Sequence, residues 1–388
     1  MASAPSLKIP NPSSPAASAT SRDRRHLLVT IPSTVASPTS PRRRSASLAV
    51  AFAAASASAA SINGGGVPKI NGHPRINGFE PAAGLRVAFQ GAPGAYSEFA
   101  AKTALLGCDT LPCRAFADAI SAVERGLADR AILPVESTME GAALRNYDLL
   151  LRHDLRVVQE ISLFVNYCLL AMPGVSPAEV RRVISHPVAL AHCGRALAQL
   201  GLHRCEPVED TAGAVEMLRS NRLLDTAAIA SPRAALLYGL DVLAHGVQDE
   251  SWNVTRFLLL AAPTSLAAAG AAVHPKQTPL KTSMVVAHRG GSMVVLLKVL
   301  SAFSRRNINL TKLEVINSSS KEDKAPVFIL DVKAKGTLRA FPHVLYVDFE
   351  GSTEDPKAME AIDEISQTAE LVRILGCYAA DPNVYDLH

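Results

Sequence analysis

The sequence predicts an α/β protein built as a large domain followed by a smaller ferredoxin-like module. Three observations carry that reading. Apolar strands alternate with helical stretches from Leu85 to Tyr238, an Ala-, Pro- and Gly-rich break spans Pro263 to Pro279, and two β-α-β units follow it. At 388 residues the chain has room for two domains and a tail.

The elements run in a regular order. Strand Leu85 to Phe89 enters the turn Gln90-Gly91-Ala92-Pro93-Gly94 and then a helix from Ser97 through Leu106, with Ser97 as its N-cap. The glycines let backbone amides approach a ligand, and a helix N-terminus after a tight turn suits an anion. A helix over 116–127 precedes strand 130–135, and a helix over 145–153 precedes strand 155–165. Strands 167–172 and 183–185 lead to a helix over 187–200 and another over 211–218. Strand 227–230 and a helix over 233–238 complete an α/β domain with largely parallel sheets. Polar residues stand just after strand ends at Glu136-Ser137-Thr138, Ser185-His186 and Ser231, where open α/β sheets bind ligands. Past the break come strand 282–287, helix 293–305, strand 308–316, a polar loop 318–323, strand 345–349, helix 356–372 and strand 374–378.

The densest chemistry lies in Asp249-Glu250-Ser251-Trp252-Asn253-Val254-Thr255-Arg256-Phe257, directly before the apolar run Leu258-Leu259-Leu260. On a strand, Thr255 and Phe257 can share one face, while Arg256 takes the other or a bent end. A hydroxyl, a guanidinium and a ring together suit a small anionic substrate.

Composition narrows the function class. The formal charge of +4 is concentrated at the N-terminus, where residues 1–62 hold seven basic residues against Asp23 alone. Without them, totals of 39 basic and 35 acidic residues fall to 32 and 34, too even for a nucleic-acid footprint. The Ser-, Ala-, Pro- and Arg-rich leader over 1–62 reads as an organelle transit peptide, with chloroplast favoured. A Gly/Asn/Pro-rich linker follows over 63–84, and no later apolar run is long enough to span a membrane. None of the six cysteines sits at a zinc-site spacing, so reduced, buried thiols and no metal are expected.

Ordered blocks over almost everything from Val87 to Tyr378 resemble the prephenate dehydratase family, and within it the plant arogenate dehydratases. They include Gly94-Ala95-Tyr96-Ser97-Glu98, Leu133-Pro134-Val135-Glu136, Arg145 to Leu150, Ser185-His186-Pro187, Asp210 to Ala214, Ala228 to Ser231 and Asn253 to Phe257. Asn309-Leu310-Thr311-Lys312 and Leu375-Gly376-Cys377-Tyr378 are similar to the family's C-terminal ACT domain. The resemblance implies a two-lobed catalytic domain like a periplasmic binding protein, over 85–262, with its site in the cleft. A linker over 263–280, a βαββαβ ACT domain over 281–380 and a tail over 381–388 complete the expected organisation. It further implies decarboxylating dehydration of arogenate to phenylalanine, or of prephenate to phenylpyruvate, without cofactor or metal.

By the same resemblance Thr255, Arg256 and Phe257 are the expected catalytic residues. Thr255 would give a proton to the leaving hydroxyl, Arg256 would hold a substrate carboxylate or brace the cleft, and Phe257 would shape the ring pocket. Tyr96, Ser97, Glu136, Ser137, Ser185, His192, Glu209, Thr211 and Ser231 are the expected substrate contacts. Gly290, Gly291, Asn309, Leu310 and Thr311 are the expected allosteric positions, with phenylalanine as effector. A homo-oligomer in the chloroplast stroma is implied as well.

Several positions depart from the family pattern. Ser137 stands for an Asn, Val188 and His192 for Gln, and Leu144 for a His, while Glu314-Val315-Ile316-Asn317 replaces Glu-Ser-Arg-Pro. Each lost polar contact to an anionic substrate would cost roughly 1–3 kcal/mol. A working but slower enzyme with weakened feedback is the expectation. A degenerate homologue acting as a non-catalytic ligand-binding or regulatory protein is the alternative. A transport-type binding protein would need a secretory signal and would leave the C-terminal module unexplained.

Overall fold

The computed structural model describes residues 84–268, 279–290, 292–317, 325–332 and 336–386. The expected transit segment over 1–62 lies outside the described residues, as do most of the linker over 63–84, Gly291, and the loop over 318–323.

The first lobe is built on a seven-stranded sheet. Its strands are β1 (Arg86–Gln90), β2 (Asp109–Cys113), β3 (Arg130–Ser137), β4 (Gly141–Ala142), β5 (Arg156–Phe164), β11 (Val254–Ala261) and β18 (Val384–Tyr385). The order is β18-β5-β11-β3-β1-β2, with β4 paired to β3. Helix α1 (Tyr96–Ala104) covers one face, and α2 (Phe116–Glu124) and α3 (Leu144–Leu151) pack on the other. The second lobe holds β6 (Cys168–Ala171), β7 (Arg182–Ser185), β8 (Cys205–Pro207), β9 (Thr226–Ala230) and β10 (Asp241–His245), in the order β10-β6-β9-β7-β8. Its helices are α4 (Pro187–His192), α5 (Gly194–Gln199), α6 (Thr211–Ser220) and α7 (Pro232–Tyr238).

Two segments join the lobes, one after β5 and one before β11. They are tied to each other by Val165 N–H donating to the Asn253 carbonyl at 2.8 Å and Val247 N–H donating to the Tyr167 carbonyl at 3.0 Å. This twin crossing is the two-lobed plan that the family resemblance implies. Both sheets are mixed rather than largely parallel. The crossing strands β5, β6, β10 and β11 pair antiparallel with neighbours, while β1–β2, β1–β3, β7–β8 and β7–β9 are parallel.

After α8 (Pro263–Ala268), which occupies the start of the expected linker, the C-terminal domain follows the order βαββαβ with an inserted hairpin. It comprises β12 (Leu280–His288), α9 (Ser292–Ser304), β13 (Leu310–Asn317), the hairpin β14 (Val327–Asp331) and β15 (Thr337–Phe341), then β16 (His343–Glu350), α10 (Pro356–Ser366) and β17 (Leu371–Ala379). The four-stranded sheet order β13-β16-β12-β17 is ferredoxin-like, with β12 and β17 side by side. The expected tail is not loose where it is described. Val384 and Tyr385 pair in parallel with Ser162 and Leu163, extending the first sheet past β5. All described residues belong to one unit, Pro74–His388.

Other boundaries moved for local reasons. The expected helix over 187–200 breaks at Cys193, whose φ of −111° and ψ of 10° leave the helical region before Gly194 restarts it. The expected helix over 356–372 ends at Ser366, because Leu371-Val372-Arg373-Ile374 alternates between buried and half-buried positions as strand β17. Ser97 is not the N-cap of α1. Ala95 holds that place, and the Glu98 carboxylate accepts from the Gly94 amide at 2.7 Å instead. Burial opposes the charge on Glu98, yet Lys102 and that amide hold its carboxyl below the usual range.

Candidate active site

Strand β11 runs antiparallel to both β3 and β5, so Thr255 lies opposite Ser137 on one side and Leu163 on the other. Alternation then sorts the side chains. Phe257 and Leu259 pack with Phe89, Ala100 and Ala101 beneath α1, while Leu258 and Leu260 pack with Val285, Tyr346 and Tyr378 of the C-terminal domain. Thr255 belongs to the α1 face, at the end of the strand where the lobes meet. It is half-buried, and its hydroxyl has no hydrogen-bond partner among the described residues.

The strand end is pinned. Thr138 Oγ1 donates to the Trp252 carbonyl at 3.1 Å and accepts from Val254 N–H at 2.9 Å, and Thr138 N–H donates to the Val254 carbonyl. Ser137 Oγ accepts from the amides of Met139 and Glu140, closing the turn into β4. From that turn Glu140 reaches the second lobe, where its carboxylate stands 2.6 Å from His192 Nε2. His192 is buried, and its Nδ1 has no partner among the described residues. Asn253, 2% exposed, likewise leaves its Nδ2 without one.

The β1–α1 turn closes the cleft from the other side. Gly94 has φ +93°, and a Cβ there would come within 3.1 Å of Ala234 Cα, so glycine is required on both counts. The Ser231 hydroxyl donates to the Gly94 carbonyl at 2.8 Å while accepting from Ala234 N–H, which fastens this turn to the start of α7. The Tyr96 hydroxyl donates to the Asn166 carbonyl at 2.7 Å, and its ring meets Tyr167 edge-on at 5.9 Å. Burial pushes both phenols well above their ordinary value, so they stay protonated. A neighbouring wall is the start of α6, where Asp210 accepts from the amides of Ala212 and Gly213.

The expected contacts therefore divide. Thr255, Ser137, His192 and Tyr96 stand at the junction of the lobes, with half-buried Thr211 on the α6 wall. Ser231 is spent on fastening the lobes, Ser185 donates to the Ile229 carbonyl at 2.7 Å inside the second lobe, and Ser97 is buried in α1. Glu209 is exposed. Phe257, 2% exposed, is a core residue rather than a pocket wall.

Arg256 and Glu136 face the other way. Arg256 Nε stands 2.8 Å from Glu160, and its Nη2 donates to Asp348 at 2.8 Å and to the Tyr378 hydroxyl at 3.0 Å; Glu136 lies 3.6 Å from Nη1. Lys281 pairs with Glu160 at 2.6 Å, and Lys312 pairs with Glu136 at 3.1 Å while lying over the Tyr147 ring. Three acids thus meet three bases. Burial alone would lower the Arg256 pKa, but Asp348, Tyr378 and Glu160 raise it, so the guanidinium is permanently charged. The expectation that Arg256 holds a substrate carboxylate gives way to this arrangement, because strand alternation turns it from the face that carries Thr255. Asp348, Lys281, Lys312 and the role of Tyr378 were missed from sequence. The signal available was an acid, Asp348, inside the apolar strand Val344 to Phe349.

Among the described residues no group of His, Cys, Asp and Glu could hold a metal ion. All six cysteines are free, and burial pushes the Cys193 thiol up to about 12 and Cys168 to about 11. In the C-terminal domain Asn309 and Leu310 line a surface pocket with Leu300, Phe303 and Ser304. Gly290 packs under His288 and Thr311 is exposed, so neither adds to that lining.

Chemically, the lobe junction offers the unengaged, half-buried Thr255 hydroxyl on a pinned strand end, which suits acid assistance to a leaving group. The prephenate dehydratase family model matches residues 87–265. Arogenate dehydratase 1 of Petunia hybrida is 49% identical over 299 residues, spanning 76% of this chain and 67% of that protein. Arogenate dehydratase/prephenate dehydratase 6, chloroplastic, of Arabidopsis thaliana is 48% identical, spanning 76% of this chain and 69% of its own length. A solved prephenate dehydratase from Arthrobacter aurescens in complex with L-Phe has a TM-score of 0.63 at 25% identity, over 76% of this chain and 90% of that one.

Proposed function

The chain belongs to the prephenate dehydratase family, and from that membership we propose how its residues carry the reaction. The enzyme is a carbon–oxygen lyase that converts arogenate to phenylalanine, water and carbon dioxide. The ring C–carboxylate bond breaks and its electron pair enters the ring as the new double bond. The ring C–OH bond breaks in turn, and the departing oxygen takes a proton to leave as water. Thr255 supplies that proton and recovers one from solvent. A threonine hydroxyl is far too weak an acid to ionise freely, so its contribution comes from placement against a charge that develops only as the C–O bond opens.

The observation that carries this reading is the unengaged Thr255 hydroxyl at the lobe junction. Ser137, His192, Tyr96 and Thr211 are proposed to orient the substrate around it. Prephenate, which carries a keto group where arogenate has an amine, is proposed as a second and poorer substrate. Phenylalanine is the proposed effector of the ACT-like C-terminal domain, with Asn309 and Leu310 at its pocket, and the assembly is proposed to be a homo-oligomer. The relatives' chloroplastic names support a plastid address, and we propose residues 1–62 as the transit segment and the stroma as the destination.

The test is turnover of arogenate and of prephenate by the chain without residues 1–62, beside its Thr255→Ala variant. Thr255→Ala is expected to lose about 10²–10⁴-fold in kcat, the span of positioned acid catalysis. A folded parent that turns over neither substrate would favour the non-catalytic alternative.

A further inference from the structure

We infer that Arg256 is a positioning residue through which the C-terminal domain fixes the catalytic end of β11. The inference rests on the reading of Thr255 as proton donor. Thr255 and Arg256 are successive residues on one strand and face opposite sides of it. One looks into the cleft, and the other is held by Asp348 of β16 and Tyr378 of β17. Ser283 of β12 shares a hydrogen bond of 2.8 Å with the Tyr378 hydroxyl, and Lys281 of the same strand secures Glu160 on the arginine's other flank. Three adjacent strands of the C-terminal sheet thus converge on one guanidinium.

The backbone beside it is irregular. Glu136 faces Arg256 but Pro134 faces Phe257, so β3 carries Val135 as an extra residue at this point. A bulge loosens the ladder on that side and leaves side chains to set the strand's course. The side chains that do so are strongly buried: Asp348 is 7% exposed at its side chain, Glu160 4% and Arg256 13%. Buried ion pairs are poor glue compared with apolar packing, and Leu258 and Leu260 already bind this face to the C-terminal sheet. What the ionic cluster adds is direction. Its hydrogen bonds have fixed geometry, so the C-terminal sheet dictates where residue 256 lies and thereby where residue 255 points.

Steady-state kinetics on arogenate with the chain lacking residues 1–62 tests this, using Asp348→Asn, Tyr378→Phe, Arg256→Lys and Arg256→Met, each normalised to folded protein. Positioning without substrate contact predicts a kcat loss of roughly 10- to 100-fold in Asp348→Asn, with KM within about twofold. Arg256→Lys should fall between the parent and Arg256→Met, because an ammonium keeps the charge but cannot reach several partners at once. Tyr378→Phe removes a single oxygen and keeps the packing, so it answers the question if the charge variants do not fold. Parent-like kcat in every folded variant would overturn the inference, and so would a rise in KM matching the fall in kcat, which would make Arg256 a substrate ligand. Thr255→Ala assayed alongside separates the two claims. If it turns over like the parent, the reading of Thr255 fails. If it is inactive while the arginine set is unaffected, only the present inference fails.

Discussion

At the scale of the residue, Thr255, Arg256 and Phe257 look like one motif and sit in three different settings. Phe257 is sealed beneath α1 with Phe89 and Ile161, so its contribution is to the core. Phe257→Ala should therefore destabilise the protein by about 3–5 kcal/mol, the usual cost of emptying a buried aromatic site. Thr255→Ala removes only a half-buried hydroxyl and should leave the thermal midpoint nearly unchanged while turnover collapses. Thermal melts and kcat measured on both variants check this opposite pattern, and a Phe257→Ala protein of parental stability would contradict the packing argument. That Thr255 and Phe257 share a face was legible in the sequence, because a strand's side-chain period of two needs no partner to be read. Whether Arg256 took the other face or a bent end was settled only by the pairing of β11 with β3 and β5. The partners themselves were not legible. Tyr378 lies 122 residues from Arg256 in the chain, and nothing local to either residue announces the other.

At the scale of the element, α4 shows how a helix start can carry a pH dependence. Its N-cap is His186, whose Nδ1 accepts from Val188 N–H at 3.2 Å, and Pro187 occupies the first turn. Only a neutral ring can accept there. Burial holds the His186 imidazole below its ordinary pKa, with Asp210 pulling weakly the other way. The folded protein therefore keeps His186 neutral at pH values where the unfolded chain has begun to bind a proton. Stability from this group is present above the unfolded pKa of about 6.5 and is lost as pH falls from there through the lower folded value. His186→Asn caps without titrating, so it should abolish that component of acid destabilisation while retaining the helix. Denaturant melts of both proteins between pH 7.5 and 5 measure it, and identical pH profiles would refute the cap's role. This helix's start was legible through Ser185-His186-Pro187, but its break at Cys193 was not. Short edge strands such as β2, with Pro112 inside it, and β8 were invisible for a related reason: they owe their extension to a neighbouring strand rather than to their own alternation.

At the scale of the whole molecule, the decisive contact is the C-terminal sheet against the first lobe's sheet. Tyr147 and Tyr346 rings meet at 4.5 Å, the Arg373 guanidinium donates to the Leu151 and His153 carbonyls, and burial pushes its pKa down to about 10. The backbones come close at Gly376, where a side-chain Cβ would strike the Val157 carbonyl of β5. That glycine is needed for space rather than for an unusual backbone angle, since its φ is not positive. The block Leu375-Gly376-Cys377-Tyr378 could be read from sequence as a unit, but what it lies against could not, because Val157 belongs to a different domain. Gly376→Ala cannot be absorbed by a side-chain swing, as the obstructing atoms are backbone. Strand β17 must instead draw back from β5, at a cost of about 1–3 kcal/mol for overpacking a tight contact. Two residues further on, the same movement carries the Tyr378 hydroxyl away from Arg256. Gly376→Ala should thus lower both the thermal midpoint and kcat, with faster amide exchange confined to β5, β11 and β17. Asp363→Ala, on the exposed side of α10, serves as the control that leaves all three unchanged. A Gly376→Ala protein with parental exchange in β11 would show that the two sheets move independently, and with that the C-terminal domain would lose its mechanical hold on Thr255.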